Sequence, residues 1–123
     1  MTKIIIPYNI TVSLNVILDL CKTHWSKYYK MQQDLINVIY YYLKAQKIVP
    51  ITKYPVRIEI SWFLANQRRD PDNVSAGKKF ILDSLVKAGI LRGDGWKETC
   101  GGFEDNFYID KENPRIEVII KGS

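Results

Sequence analysis

The sequence predicts a single small α/β (α+β) domain, in which a mixed sheet of about four strands carries two main helices in the order β-α-β-α-β-β. Several short segments alternate apolar and polar residues, as half-buried strands do, and two longer segments repeat apolar residues every three or four positions. The chain of 123 residues is long enough for one hydrophobic core. No repeat, linker or low-complexity tract divides it, so we expect one domain over residues 1–123.

The first half of the chain predicts a strand and then a long helix. Lys3 to Ile10 is β-branched and apolar, and Pro7, which has no N–H to donate, indicates an edge strand or an early strand end. From Lys27 to Gln46 the apolar period is helical. Its predicted stripe consists of Tyr28, Met31, Leu35, Ile39 and Tyr42, with Leu43 alongside. The consecutive rings of Tyr40 to Tyr42 point in three directions, so at least one of them leaves the stripe and is exposed.

The second half predicts a strand, a helix and two further strands. The first of these strands has one apolar face, formed by Val56, Ile58, Ile60 and Trp62. A helix over roughly Val74 to Lys87 follows, and Gly89 is placed to end it. A turn at residues 92–95 leads to a strand from Phe103 to Ile109. The last strand alternates around Ile116, Val118 and Ile120.

Composition limits the classes of partner and site. There are 18 basic and 13 acidic residues, a net charge of +5 and a pI near 9.2, which favour an anionic partner such as nucleic acid. The apolar runs are too short for a membrane span or a signal peptide, so we expect a cytoplasmic protein without membrane contact. Cys21 and Cys100 are expected to be free thiols. One histidine and two cysteines do not make a tetrahedral zinc site without carboxylates.

The most informative stretch is Asp70-Pro71-Asp72-Asn73, with Arg68-Arg69 before it and Lys78-Lys79 after it. Two carboxylates one residue apart project to the same side of an extended backbone. Such a pair can share Mg²⁺, which takes oxygen ligands and usually one or two carboxylates. The flanking cations would hold a polyanion while the acids hold the metal. The combination suits an enzyme that cuts a phosphate backbone.

Two other metal-site patterns fit poorly. A calcium loop that starts at Asp70 would need an acid, a glycine and a glutamate where Val74, Ser75 and Ile81 stand. A restriction-type nuclease core would pair Pro71-Asp72 with an acid-x-Lys element. Asp94-Gly95-Trp96-Lys97 is one residue too long for that element, which in a strand turns the lysine to the opposite face.

A non-catalytic explanation also exists for the acids. Asp72 or Asn73 just before a helix is a good N-cap, worth about 0.5–2 kcal/mol. The remaining acids would then be solvated surface groups, and Asp94 a turn residue between two glycines. This explanation accounts for one acid and leaves Asp70, the flanking cations and Asp94 unconnected.

The ordered set of motifs resembles RusA-type Holliday-junction endonucleases. The resemblance covers Arg68-Arg69-Asp70-Pro71-Asp72-Asn73, Lys79 with Asp83 and Leu85, Lys87-Ala88-Gly89, and Asp94. The strand before this region and the strands after it also fit. In the N-terminal third only Ser13-Leu14-Asn15 matches, where the family often has a similar Ser-x-Asn element.

The resemblance implies a small mixed α/β subunit that forms a homodimer. It implies paired nicking of four-way DNA junctions in recombination and repair, with Mg²⁺ as cofactor and Mn²⁺ as a possible substitute. Proteins of this type are often encoded by phages and prophages. The implied metal ligands are Asp70, Asp72 and Asp94, and the implied DNA contacts are Arg68, Arg69, Asn73, Lys78 and Asn15. A rival function is a non-catalytic module that binds branched DNA and needs none of the three aspartates.

The catalytic lysine departs from the family pattern. Ala76 stands where the family has its lysine, one helical turn after the second aspartate, and about three extra residues precede Lys79. At 100° per residue, Lys79 lies about 20° from the direction of residue 72, and Lys78 lies about 120° away. We therefore predict Lys79 as the catalytic lysine. Lys79 can also form an ordinary i,i+4 pair with Asp83.

Overall fold

The computed structural model describes residues 1–7, 25–67, 70–71 and 77–122, except the side chains of residues 25–28 and of Met31. The elements are β1 (Thr2–Pro7), α1 (Trp25–Ala45), β2 (Val56–Leu64), α2 (Lys78–Lys87), α3 (Trp96–Thr99), β3 (Phe103–Ile109) and β4 (Arg115–Gly122). The four strands form one mixed sheet, which together with α1 and α2 confirms the predicted α+β class. The short helix α3 was not expected from the sequence.

The strands are arranged in the order β1-β4-β2-β3. β4 pairs antiparallel with both β1 and β2, whereas β2 and β3 are parallel neighbours joined through α2. Because β2 and β3 are parallel, their carboxyl ends lie at the same end of the sheet. The residues that follow β2 therefore start close to the end of β3.

The two edges of the sheet differ. β1 ends at Pro7 and is an edge strand, as the proline indicated. The outward N–H and C=O of Ile5 are bonded by the side-chain amide of Gln46, at 3.3 and 3.1 Å. In the described part of the chain, no strand pairs with the outer edge of β3.

One face of the sheet and both main helices form a single core. The predicted alternation is confirmed, since Val56, Ile58, Ile60, Trp62, Ile116, Val118 and Ile120 are all buried. From the helices the core takes Leu35, Ile36, Ile39, Leu43, Phe80, Ile81 and Leu85. The predicted stripe of α1 is wrong at Tyr42, which is 38% exposed, because Leu43 rather than Tyr42 continues the row from Ile39. Tyr41 is the ring that leaves the stripe, with 70% of its surface exposed.

Glycine ends α2 as the sequence predicted. Gly89 has φ +75°, a conformation that costs glycine little, and its N–H donates to the carbonyl of Val86 at 3.0 Å. The predicted start near Val74 and the capping residues before it lie outside the described residues. Cys100 is exposed and free, and Cys21 also lies outside them. Within the described ranges, no helix combines the length and apolarity that crossing a bilayer requires.

Candidate functional site

Two of the predicted site residues meet at the start of α2. The ammonium of Lys79 lies 2.9 Å from Oδ2 of Asp94, although the two residues are 15 positions apart. The same ammonium lies 3.0 Å from Oδ1 of Asp83, one turn further along the helix. Lys79 therefore makes both the ordinary helix pair and the contact with a predicted metal ligand.

The two carboxylates keep Lys79 in its charged form. Its pKa is raised above the ordinary value of 10.5, mainly by the hydrogen bond to Asp94 and then by the one to Asp83. The side chain is 64% exposed, so the charge is open to an anion from solvent. At neutral pH the site therefore presents a fixed, accessible cation between two carboxylates.

The loop that carries Asp94 is held on both sides. Before it, Leu91 is buried and the N–H of Arg92 donates to the hydroxyl of Tyr54 at 2.9 Å. After it, the carbonyl of Gly95 accepts from the backbone N–H of Thr99 at 3.0 Å and begins α3. These anchors bring the loop back along α2, and Asp94 thereby reaches the first turn of the helix.

Lys78 has different partners from those of Lys79. Its ammonium lies 2.6 Å from Oδ2 of Asp105 on β3 and 5.0 Å from the centre of the Phe103 ring. Oδ1 of the same carboxylate accepts from the indole N–H of Trp62 at 3.0 Å. Successive residues of a helix point about 100° apart, so only one of the two lysines reaches Asp94. The geometry brings Lys79 to Asp94, whereas its role as the catalytic lysine stays a prediction.

Asp105 is a residue that the sequence reasoning missed. It lies on β3, on the same face of the sheet as Phe103 and Phe107, since side chains two positions apart share a face. A carboxylate between two aromatic residues of one strand face is uncommon unless it is paired. The sequence therefore signalled that Asp105 has a partner, but which residue that partner is depends on where α2 begins.

Asp70 lies beside a cavity at the carboxyl ends of β2 and β3, called here the strand-end cavity. Its volume is about 320 Å³. The described residues around it are Leu64, Gln67, Asp70, Pro71, Phe107, Tyr108 and Ile109. Asp70 itself is exposed, so its carboxylate is open to solvent at the mouth of this cavity. No described contact links Asp70 with Asp94.

Several predicted residues lie outside the described part of the chain. They are Asn15, Arg68, Arg69, Asp72 and Asn73. Among the described residues, no group of three histidine, cysteine or acidic side chains is placed to hold a metal ion. The convergence of three aspartates depends on Asp72 and stays a prediction. The carboxylates that are described, at Asp70 and Asp94, supply the oxygen donors that Mg²⁺ prefers.

No protein-family model and no curated protein sequence matches the chain.

Proposed function

We propose that the chain is a Mg²⁺-dependent endodeoxyribonuclease that resolves four-way DNA junctions by paired nicks, acting as a cytoplasmic homodimer in recombination and repair. The observation that supports this most is the 2.9 Å contact between Lys79 and Asp94. These are the catalytic lysine and the third metal ligand that the resemblance to RusA-type enzymes implies. The contact brings together two residues that the resemblance assigns to one site, although they lie 15 positions apart in sequence.

Lys79 is suited to bind the phosphate that is cut. An ammonium has three N–H donors, and in the described structure two of them face Asp83 and Asp94. The third is available to a phosphate oxygen, where its charge would stabilise the negative charge that develops in the transition state. Asp70, Asp72 and Asp94 would hold Mg²⁺, which polarises the phosphodiester and lowers the pKa of an attacking water.

A two-fold dimer suits the substrate. A four-way junction needs two nicks on opposed strands, and a symmetric dimer presents two identical sites related by the same kind of axis. The excess of basic residues favours association with the polyanion through release of counterions.

The direct test is a synthetic four-way junction incubated with purified protein, with and without Mg²⁺ or Mn²⁺. Paired nicks that require the metal are expected of the wild-type protein. Asp72→Asn should abolish cutting and leave junction binding intact or stronger, because it removes a metal ligand and a negative charge near phosphates. Asp34→Asn, which removes an exposed carboxylate on α1, serves as the matched charge control. Tight binding without cutting under any metal condition would favour the non-catalytic module instead.

The two adjacent lysines provide a sharper comparison. Lys79→Ala should lower the single-turnover rate at saturating junction by roughly 10²-fold, as loss of one oxyanion donor does. Lys78→Ala should leave that rate nearly normal in the folded protein, since Lys78 contacts Asp105 and not Asp94. Equal losses of rate at saturation would contradict the assignment of Lys79.

A further inference from the structure

Three side chains in lateral register form a stack across the sheet, called here the aromatic ladder. Phe63 on β2 pairs in register with Arg115 on β4 and with Tyr108 on β3. The guanidinium carbon of Arg115 lies 3.8 Å from the centre of the Phe63 ring. The rings of Phe63 and Tyr108 are stacked, with centroids 4.9 Å apart and planes 21° apart. The ladder therefore runs from a cation to an exposed phenol ring.

The ladder is fixed at its cationic end. Arg115 donates to Asp110 at 2.8 Å and to Glu117 at 2.7 Å, and these two bonds hold its guanidinium over Phe63. Phe63 in turn covers one face of Tyr108. A ring that is already stacked on one side loses little freedom when a second planar group stacks on the other.

Tyr108 ends the ladder on the outermost strand. Among the strands that the structure describes, β3 is the last on this side of the sheet, and 48% of Tyr108 is exposed. Exposed aromatic rings on a sheet are the stacking platforms on which some sheet proteins bind unpaired bases, because every base has a π-face.

Tyr108 also borders the strand-end cavity. The volume of about 320 Å³ is at the lower end of the ~300–1,000 Å³ range of small-molecule pockets, a size that suits one planar ring system. Leu64, Phe107 and Ile109 supply apolar walls, and Gln67 supplies an amide with both donor and acceptor atoms. Apolar walls with one polar edge match the chemistry of a nucleobase.

The position of the cavity is consistent with a ligand site. Ligands of α/β sheets bind outside the carboxyl ends of parallel strands, and the cavity lies at those ends of β2 and β3. Asp70, a predicted metal ligand, borders the same cavity. A base held there would thus belong to a nucleotide near the phosphate that is cut.

We propose that the strand-end cavity and the end of the aromatic ladder bind one unpaired DNA base at the junction branch point, with the base stacked on Tyr108 and its edge bonded by Gln67. The placement of this base beside the cut phosphate depends on the proposed nuclease function. Binding of the base itself does not depend on it, because it is measured without cutting.

The test is a double-mutant cycle between Tyr108 and the base. Single abasic nucleotides are scanned across the branch point of a four-way junction, and equilibrium binding is measured without divalent metal. For the wild-type protein, an abasic nucleotide at one position should weaken binding by roughly 10-fold, as loss of one base–aromatic stack does. Tyr108→Ala should weaken binding of the intact junction by a similar factor, and the abasic nucleotide should then cause no further loss.

Two variants separate stacking from other effects. Tyr108→Phe keeps the ring and should retain the wild-type penalty for the abasic nucleotide, which also controls for folding. Tyr41→Ala removes an exposed ring on α1, 70% exposed, and should also leave that penalty unchanged. An equal abasic penalty in the wild type and Tyr108→Ala at every position would overturn the proposal.

The outcomes distinguish this proposal from the nuclease function. Coupling between Tyr108 and one base in a protein that never cuts supports the base site and counts against the nuclease. Metal-dependent cutting with no coupling at any position overturns the base site and leaves the nuclease standing.

Discussion

Asp105→Ala should destabilise the fold more than an average surface substitution. The Asp105 carboxylate accepts from the indole of Trp62 and from the ammonium of Lys78, so it joins β3 to β2 and to the first turn of α2. The side chain of Trp62 is only 1% exposed, and alanine at position 105 would leave its indole N–H with no acceptor. A buried donor left in this way costs about 1–3 kcal/mol.

Loss of the lysine partner contributes less to the free energy of unfolding. Lys78 is 23% exposed and its flexible stem can carry the ammonium to water, so the ion pair adds only about 0.5–1 kcal/mol. We therefore expect about 1.5–4 kcal/mol in total for Asp105→Ala. Asp105→Asn keeps an oxygen for the indole and should cost about 1 kcal/mol.

Urea unfolding followed by circular dichroism, with linear extrapolation to water, measures these differences. Lys78→Met retains the stem without the charge and completes a double-mutant cycle with Asp105→Ala. The reasoning would be refuted if Asp105→Ala cost less than about 0.5 kcal/mol. It would also be refuted if Asp105→Asn cost as much as Asp105→Ala, since the indole would then not be the main partner.

Three further outcomes are expected. Light scattering at micromolar concentration should give the mass of a dimer, and a monomer mass would contradict the proposed assembly. Hydrogen bonds from Lys3 and Arg115 lower the pKa of Glu117 below its ordinary value of 4.5. The stability that ionised Glu117 contributes is therefore present above pH ~4.5 and is lost as the pH falls through the lowered pKa. Glu117→Gln should accordingly flatten the acid side of the stability profile in urea titrations. Gly101→Ala should lower the free energy of unfolding by about 1–3 kcal/mol or more, because its Cβ would overlap the backbone carbonyl of Val56; a change within ~0.5 kcal/mol would contradict that contact.

The sheet and helices were predictable because their signals are local. Alternation at residues 56–62 and 116–120 places one face of each strand in the core, whatever its neighbours are. Gly89 ends α2 through its own backbone conformation. The stripe of α1 was wrong at Tyr42 because Tyr42 and Leu43 lie about 60° and about 40° to either side of the direction of Ile39, so the period alone separates them poorly. Packing against the rest of the core selects Leu43.

The choice of Lys79 over Lys78 was made by counting residues from position 72, which lies outside the described residues, so that argument stays a prediction. The structure brings the ammonium of Lys79 to Asp94, a contact that residue counting did not address. The partners of Lys78 were not accessible in this way. They depend on which strand lies beside the start of α2, and parallel pairing of β2 with β3 places Asp105 there. The aromatic ladder likewise exists only through the register of three strands.

The buried indole of Trp62 gives the protein an optical signal of its own. Its N–H is bonded to the carboxylate that also holds Lys78, the residue next to Lys79, while Trp96 lies two positions beyond Asp94 with 84% of its surface exposed. The chain has three tryptophans, and the side chains of two of them, Trp62 and Trp96, are described. Trp62 is buried on β2 and is linked through Asp105 to the start of α2, whereas Trp96 is in water directly after the aspartate loop. Single-tryptophan variants would report separately, in emission wavelength and in quenching, on the start of the helix and on the aspartate loop as DNA or a metal binds.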